Sequence, residues 1–206
     1  MKQKREDKLS ENRPERVSEE MMEKVYISEI MTTFPEGEVS ATEEKVYEKL
    51  KELGTSFERV DNDSISTMEE CEEVGKVLGT EICKSILACT RNKSEYYLII
   101  MPGDKRFVSK LASKAIGSSR LSFASPEDMQ EMLGTTPGNA SPLAVVNDCD
   151  GKVKLVIDSE LAEEDYIACN TGANTTHIRF RTHDLIDTIL PAFSHKPVIV
   201  ELPDEQ

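Results

Sequence analysis

Between residues 81 and 102 the chain reads "EICKSILACT", then "RNKS", then "EYYLIIMP". Two short apolar runs, rich in Ile, Leu, Tyr and Cys, flank a four-residue polar break, the pattern of two strands joined by a hairpin turn. Along a strand the side chains alternate between faces. Ile82, Lys84, Ile86 and Ala88 then share one face, and Cys83, Ser85, Leu87 and Cys89 share the other. Lysine is rarely buried without a partner. Lys84 is therefore either an edge charge reaching for water or a charge that faces a pocket.

The flanking sequence supplies helices. In "SATEEKVYEKLKELG", Ser40 and Glu43 form a capping box, Val46, Tyr47 and Leu50 make an apolar stripe, and Gly54 ends the helix. "STMEECEEVGKVLG" repeats that logic with Thr67, Glu70 and Gly79. "GDKRFVSKLASKAIG" is amphipathic, and Ser125-Pro126 opens another helix. Short strands are expected at 56–60, at "RLSFAS", at 143–147, at 152–158, at "YIACN" and "THIRF", and at "KPVIVEL". A last helix is expected over 183–190, broken by Pro191. Intermixed helices and hairpins predict an α+β fold: one mixed β-sheet with surrounding helices, over residues 41–206. Residues 1–40 are charged and poor in aliphatics; they read as a flexible tail with a short helix around "EEMMEKVYISEIM".

Charge narrows the partners. The net charge of −14 argues against nucleic acid, but its distribution does not. Residues 76–120 carry nine basic side chains against three acidic ones, a basic segment inside an acidic protein. There is no apolar run long enough for a membrane span and no secretory leader pattern. The five cysteines lack metal-ligand or disulfide spacing, so a cytoplasmic setting with no metal and no cofactor is expected.

The chain has no P-loop, no dinucleotide-binding glycine motif, no H-E-x-x-H and no G-x-S-x-G elbow. A catalytic thiol such as Cys169 would sit in an apolar strand, where cysteine is usually inert packing. What remains is polar residues at strand ends and in loops: Lys84-Ser85, Arg120, "TPGNASP" (136–142), Asn147-Asp148 and "CNTGANT" (169–175). Pro137 and Pro142 stiffen the first loop, and Gly138 frees its backbone. Such a loop either aims N–H groups at a developing oxyanion or simply connects helix to strand.

These residues carry a family likeness. Lys84, the "PGDKR…SRLSFAS" segment and the G-x-x-x-P loop from Gly138 to Pro142, running into "VVND", resemble the YbaK/ProX aminoacyl-tRNA deacylases, across about residues 41–202. That family includes the editing domain of bacterial prolyl-tRNA synthetases. The resemblance implies trans-editing: hydrolysis of the ester of a mischarged small amino acid, such as alanine on proline tRNA, without a metal. It implies catalytic roles for Lys84, Gly138 and Ser141, and substrate contacts from Ser85, Arg120, Asn139, Pro142, Asn147 and Asn170. Lys105, Arg106, Lys110 and Lys114 become candidates for acceptor-stem phosphates. The partners implied are an aminoacyl-tRNA and an aminoacyl-tRNA synthetase. Two positions depart from the pattern: Ser85 stands where relatives have asparagine, and Asn170 where they have histidine. A non-catalytic tRNA-binding or regulatory module on the same fold is the alternative.

Overall fold

The computed structural model describes residues 25–65 and 67–204. Helix α1 (Ala41–Leu53) starts at the expected capping box. Ser40 Oγ accepts from the Glu43 N–H at 3.2 Å, and the Glu43 carboxylate accepts from the Ser40 N–H at 3.0 Å. After β1 (Glu58–Asp61), helix α2 (Met68–Leu78) uses Thr67 and Glu70 in the same way. The central hairpin follows as β2 (Lys84–Thr90) and β3 (Tyr96–Met101). Lys93 turns it with φ of 54° and places its ammonium 2.7 Å from Asp128. Next come α3 (Ser109–Ile116), β4 (Leu121–Phe123) and α4 (Pro126–Leu133). The second half contains β5 (Val153–Asp158), α5 (Ser159–Ala162), β6 (Tyr166–Asn170), β7 (Thr176–Arg181) and β8 (Val198–Val200).

The fold is α+β, on mixed pairing as expected, but with two sheets rather than one. The larger runs β4-β2-β3-β5-β8, with β3, β5 and β8 parallel and the β2 pairings antiparallel. The smaller, β1-β7-β6, is antiparallel. The main core lies where both sheets meet α1, α4 and residues 142–147; Leu50, Leu98, Ile100, Leu133, Leu143 and Ile178 are wholly buried in it. Burial of one such side chain contributes about 1.5–3 kcal/mol.

The chain changes sheets at the lysine. Ile82 forms a parallel bridge with Ala168 of the small sheet, and the Cys83 N–H donates to the Ala168 carbonyl at 2.8 Å. Lys84 then opens β2 of the large sheet. Strand alternation therefore does not reach back to Ile82. That residue packs with Val60, Val74 and Leu78, whereas Ile86 and Ala88 pack with Ala112 and Leu121 beside α3.

Three further expectations change. Residues 143–147 are not a strand: Pro142–Asn147 form a 3₁₀ helix, with Pro142 in its first turn and Ser141 Oγ accepting from the Leu143 N–H. A short, largely buried apolar run fits either geometry, and the proline and the cap decide it. Pro191 does not end the last helix. Thr182–Asp184 lead into a π turn, Leu185–Ile189, and Leu190–Ala192 continue through the proline. The residues from Val25, read from sequence as tail, are extended and run along β1. Met31 and Arg59 exchange two 2.8 Å backbone bonds, and Phe34 packs edge-on against Phe57. The rest of the expected tail, residues 1–24, lies outside the described residues.

Candidate functional site

At the junction of the two sheets a cleft of about 490 Å³ opens beside the start of β2. Strand β4 pairs with the second half of β2, from Ala88 to Thr90, and among the described residues no strand pairs with the first half on that flank. Lys84 and Ser85 line this cleft, facing Pro137, Gly138 and Ala140 of the 136–142 loop, Asn170 at the end of β6, and His177 on β7. Phe123 and Met129 form further parts of the wall.

Lys84 is half-buried, and its ammonium donates to the Lys105 carbonyl at 2.7 Å. A lysine ammonium has three donors, so two remain for a ligand. The Lys105 backbone is itself fixed: its ammonium lies 2.8 Å from the wholly buried Asp158 and 3.0 Å from Glu160. Gly103, also on the wall, is required for this arrangement. A Cβ there would lie 2.5 Å from the Ile82 carbonyl oxygen, so only glycine lets the 102–105 turn close against the start of β2.

Asn170 lines the opposite wall, and Ser141 braces it from behind. Ser141, wholly buried, donates from Oγ to the Asn170 carbonyl at 2.6 Å. Asn170 donates from its amide to the Ala140 carbonyl at 3.1 Å and accepts from the Gly172 N–H at 2.8 Å. These bonds clamp the 136–142 loop to the end of β6. Gly138, at φ of 91°, supplies the turn at the exposed tip of that loop, where a side chain would be strained.

His177 is a cleft residue that the sequence reading missed. It is buried, with Nδ1 2.9 Å from Asn62 Oδ1. The Asn62 amide nitrogen donates to the carbonyls of Asp63 and Asn174, which leaves Oδ1 to accept and assigns the imidazole proton to Nδ1. Burial pushes the imidazole down to about 4, so it is neutral at pH 7. Its only sequence signal was its place two residues beyond the "CNTGANT" turn.

Several expected residues lie elsewhere. Asn147 is a bracket: its amide donates to Thr42 Oγ1 at 2.9 Å and to the Leu133 carbonyl at 2.8 Å, while Lys45 donates to its oxygen. Pro142 is buried in the 3₁₀ helix, and Asn139 turns back to Thr136. Neither lines the cleft. Lys105 is a half-buried strut held by Asp158, whereas Arg106, Lys110, Lys114 and Arg120 are exposed. Cys169 is buried, and the neighbouring Cys83 thiol together with burial holds its thiol well above the usual range, the reverse of what a nucleophile needs. Among the described residues no group of three His, Cys, Asp or Glu side chains could hold a metal ion, and no helix is long and apolar enough to cross a membrane.

The chain is similar to known proteins. The prolyl-tRNA editing protein ProX of Acetoanaerobium sticklandii is 29% identical over 140 residues, covering 68% of this chain and 85% of that protein. The multifunctional Ser/Thr-tRNA deacylase ProXp-y of Escherichia coli K12 is 29% identical over 168 residues, covering 78% and 95%. A solved structure described as a candidate trans-editing enzyme for prolyl tRNA synthetase superposes with a TM-score of 0.60 at 18% identity, over 80% of this chain and 99% of that one, which supports the fold. The model of the aminoacyl-tRNA editing domain matches residues 62–188, from the end of β1 to the last helix. The chain belongs to the aminoacyl-tRNA editing domain family, the YbaK/ProX group that its sequence resembles.

Proposed function

We propose that the cleft hydrolyses the ester of a small amino acid mischarged on tRNA. The observation that carries this reading is the facing of Lys84 and the Gly138 loop across one cleft, at the open flank of β2. An aminoacyl ester is already activated, so positioning and oxyanion stabilisation supply much of the rate. In this reading Lys84 holds the 3′-terminal ribose-phosphate or the ester with its remaining donors. The N–H groups of the 136–142 loop face the carbonyl oxygen as it gains charge. A water attacks the carbonyl carbon, the bond to the ribose oxygen breaks, and the free amino acid and the tRNA hydroxyl leave. The reaction requires no metal.

The clamped wall at Ser141 and Asn170 supports a small amino-acid pocket, which excludes larger side chains sterically. Ser85 supports a polar substrate group. Its hydroxyl is buried on the cleft wall with no hydrogen-bond partner among the described residues, and an unsatisfied buried hydroxyl gains from any ligand that bonds to it. Serine and threonine esters fit that requirement better than alanine. Hydrolysis of tRNAs charged with serine, threonine, alanine, cysteine and proline tests the reading. Release of serine or threonine ahead of proline supports it, and no release from any of the five overturns it.

A further inference from the structure

Phe123 is a large apolar side chain that the core does not use. It is 66% exposed at the rim of the cleft, on the edge strand β4, two residues after the fully buried Leu121. Its ring is held by Phe107, with centroids 5.4 Å apart and planes at 62°. An edge-on neighbour of this kind fixes the ring's orientation and leaves its face available. Phe123 pairs with Ala88 on β2, and Lys84 lies four residues back along that strand, about 13 Å away. The aromatic ring and the ammonium thus stand at two ends of one strand edge, on the wall of one cleft. The adjoining elements carry exposed cations: Arg120 directly precedes β4, and Lys110 and Lys114 lie one turn apart on α3, which packs on β4. An exposed, oriented aromatic ring flanked by cations is how proteins hold an unpaired base and its phosphates.

We propose that Phe123 is the stacking platform for the unpaired 3′-terminal base of the tRNA, with Lys110, Lys114 and Arg120 meeting the phosphates that precede it. This deepens the deacylase reading and rests on it. The terminal nucleoside lies along the β2 edge, its base on Phe123 and its ester beside Lys84. Base recognition and ester positioning then belong to different residues and are separable by experiment.

The chain contains no tryptophan, so Phe123→Trp installs a single fluorescent reporter at the proposed contact. Uncharged tRNA ending in CCA is titrated into this variant and compared with the same tRNA lacking the terminal adenosine. Stacking predicts quenching by the first and at least tenfold weaker quenching by the second, in the range lost with one stacked base. In parallel, Phe123→Ala raises the KM for charged tRNA about tenfold with kcat within about twofold, and Phe123→Tyr restores it. Equal quenching by both tRNAs, or an unchanged KM in Phe123→Ala, overturns the platform. The titration uses uncharged tRNA, so it reports on Phe123 even if the wild-type protein hydrolyses no ester.

Discussion

The Lys84 ammonium donates to the backbone carbonyl of Lys105 at 2.7 Å, while the Lys105 ammonium is anchored on the buried Asp158. Two lysines of one basic segment therefore do different work. Lys105→Met strands the Asp158 carboxylate without its counter-charge, a change worth about 3–5 kcal/mol of stability. The expected result is a markedly lower urea midpoint. The double variant Lys110→Ala/Lys114→Ala keeps its midpoint, because both side chains are exposed, and instead shows a shallower salt dependence of tRNA binding. An unchanged midpoint for Lys105→Met would contradict its role as a strut.

Ser141 has no access to a ligand, yet it ties the loop to β6 through its bonds with the Asn170 carbonyl and the Leu143 N–H. Ser141→Ala removes both bonds and costs about 1–3 kcal/mol, read as a lower thermal midpoint. Loss of activity without loss of stability would instead make Ser141 a direct participant.

Burial of His177 couples stability to pH. Its folded-state value, about 4, lies below the ordinary 6.5, so acid protonates the unfolded chain first. Stability contributed by the neutral imidazole is complete above pH 6.5 and is lost as pH falls towards 4. The loss reaches about 2 kcal/mol by pH 5. Urea unfolding at pH 7 and pH 5 should show this difference in the wild type and a smaller one in His177→Asn. Equal pH sensitivity in the two proteins would refute the assignment.

Ser85 governs selectivity in this account. Ser85→Ala removes the unpartnered hydroxyl and should lower kcat/KM for serine esters relative to alanine esters by about fivefold to tenfold. Measuring both esters with the same enzyme preparation cancels differences in active fraction. An unchanged ratio would remove Ser85 from substrate recognition.

Much of the scaffold was legible because its signals are local. Ser40 with Glu43, Thr67 with Glu70, and Ser125 before Pro126 all cap helices where the residues place them. The hairpin around "RNKS" likewise follows from its flanking runs. The misreadings arose where tertiary context decides. The sheet switch between Ile82 and Lys84 leaves no trace in alternation, and Pro142–Val145 are a short buried run that fits a strand or a 3₁₀ helix alike. Lys84, Ser85, Gly138 and Asn170, which the family resemblance marks in the sequence, line one cleft. Asn147 and Lys105 bond instead within the fold, because an internal polar bracket and a ligand contact look alike in one dimension. His177 was missed because nothing local says that β7 turns it into the cleft.

The central claim is that Lys84 positions the scissile ester. Its most direct test is kcat/KM for hydrolysis of seryl- and alanyl-tRNA by wild type and Lys84→Ala, with unfolding midpoints measured on the same samples. The expected result is a loss of about 10²–10³ in kcat/KM, the scale of one missing electrostatic contact to the reacting group, with the midpoint little changed. Hydrolysis by Lys84→Ala at the wild-type rate would contradict the account.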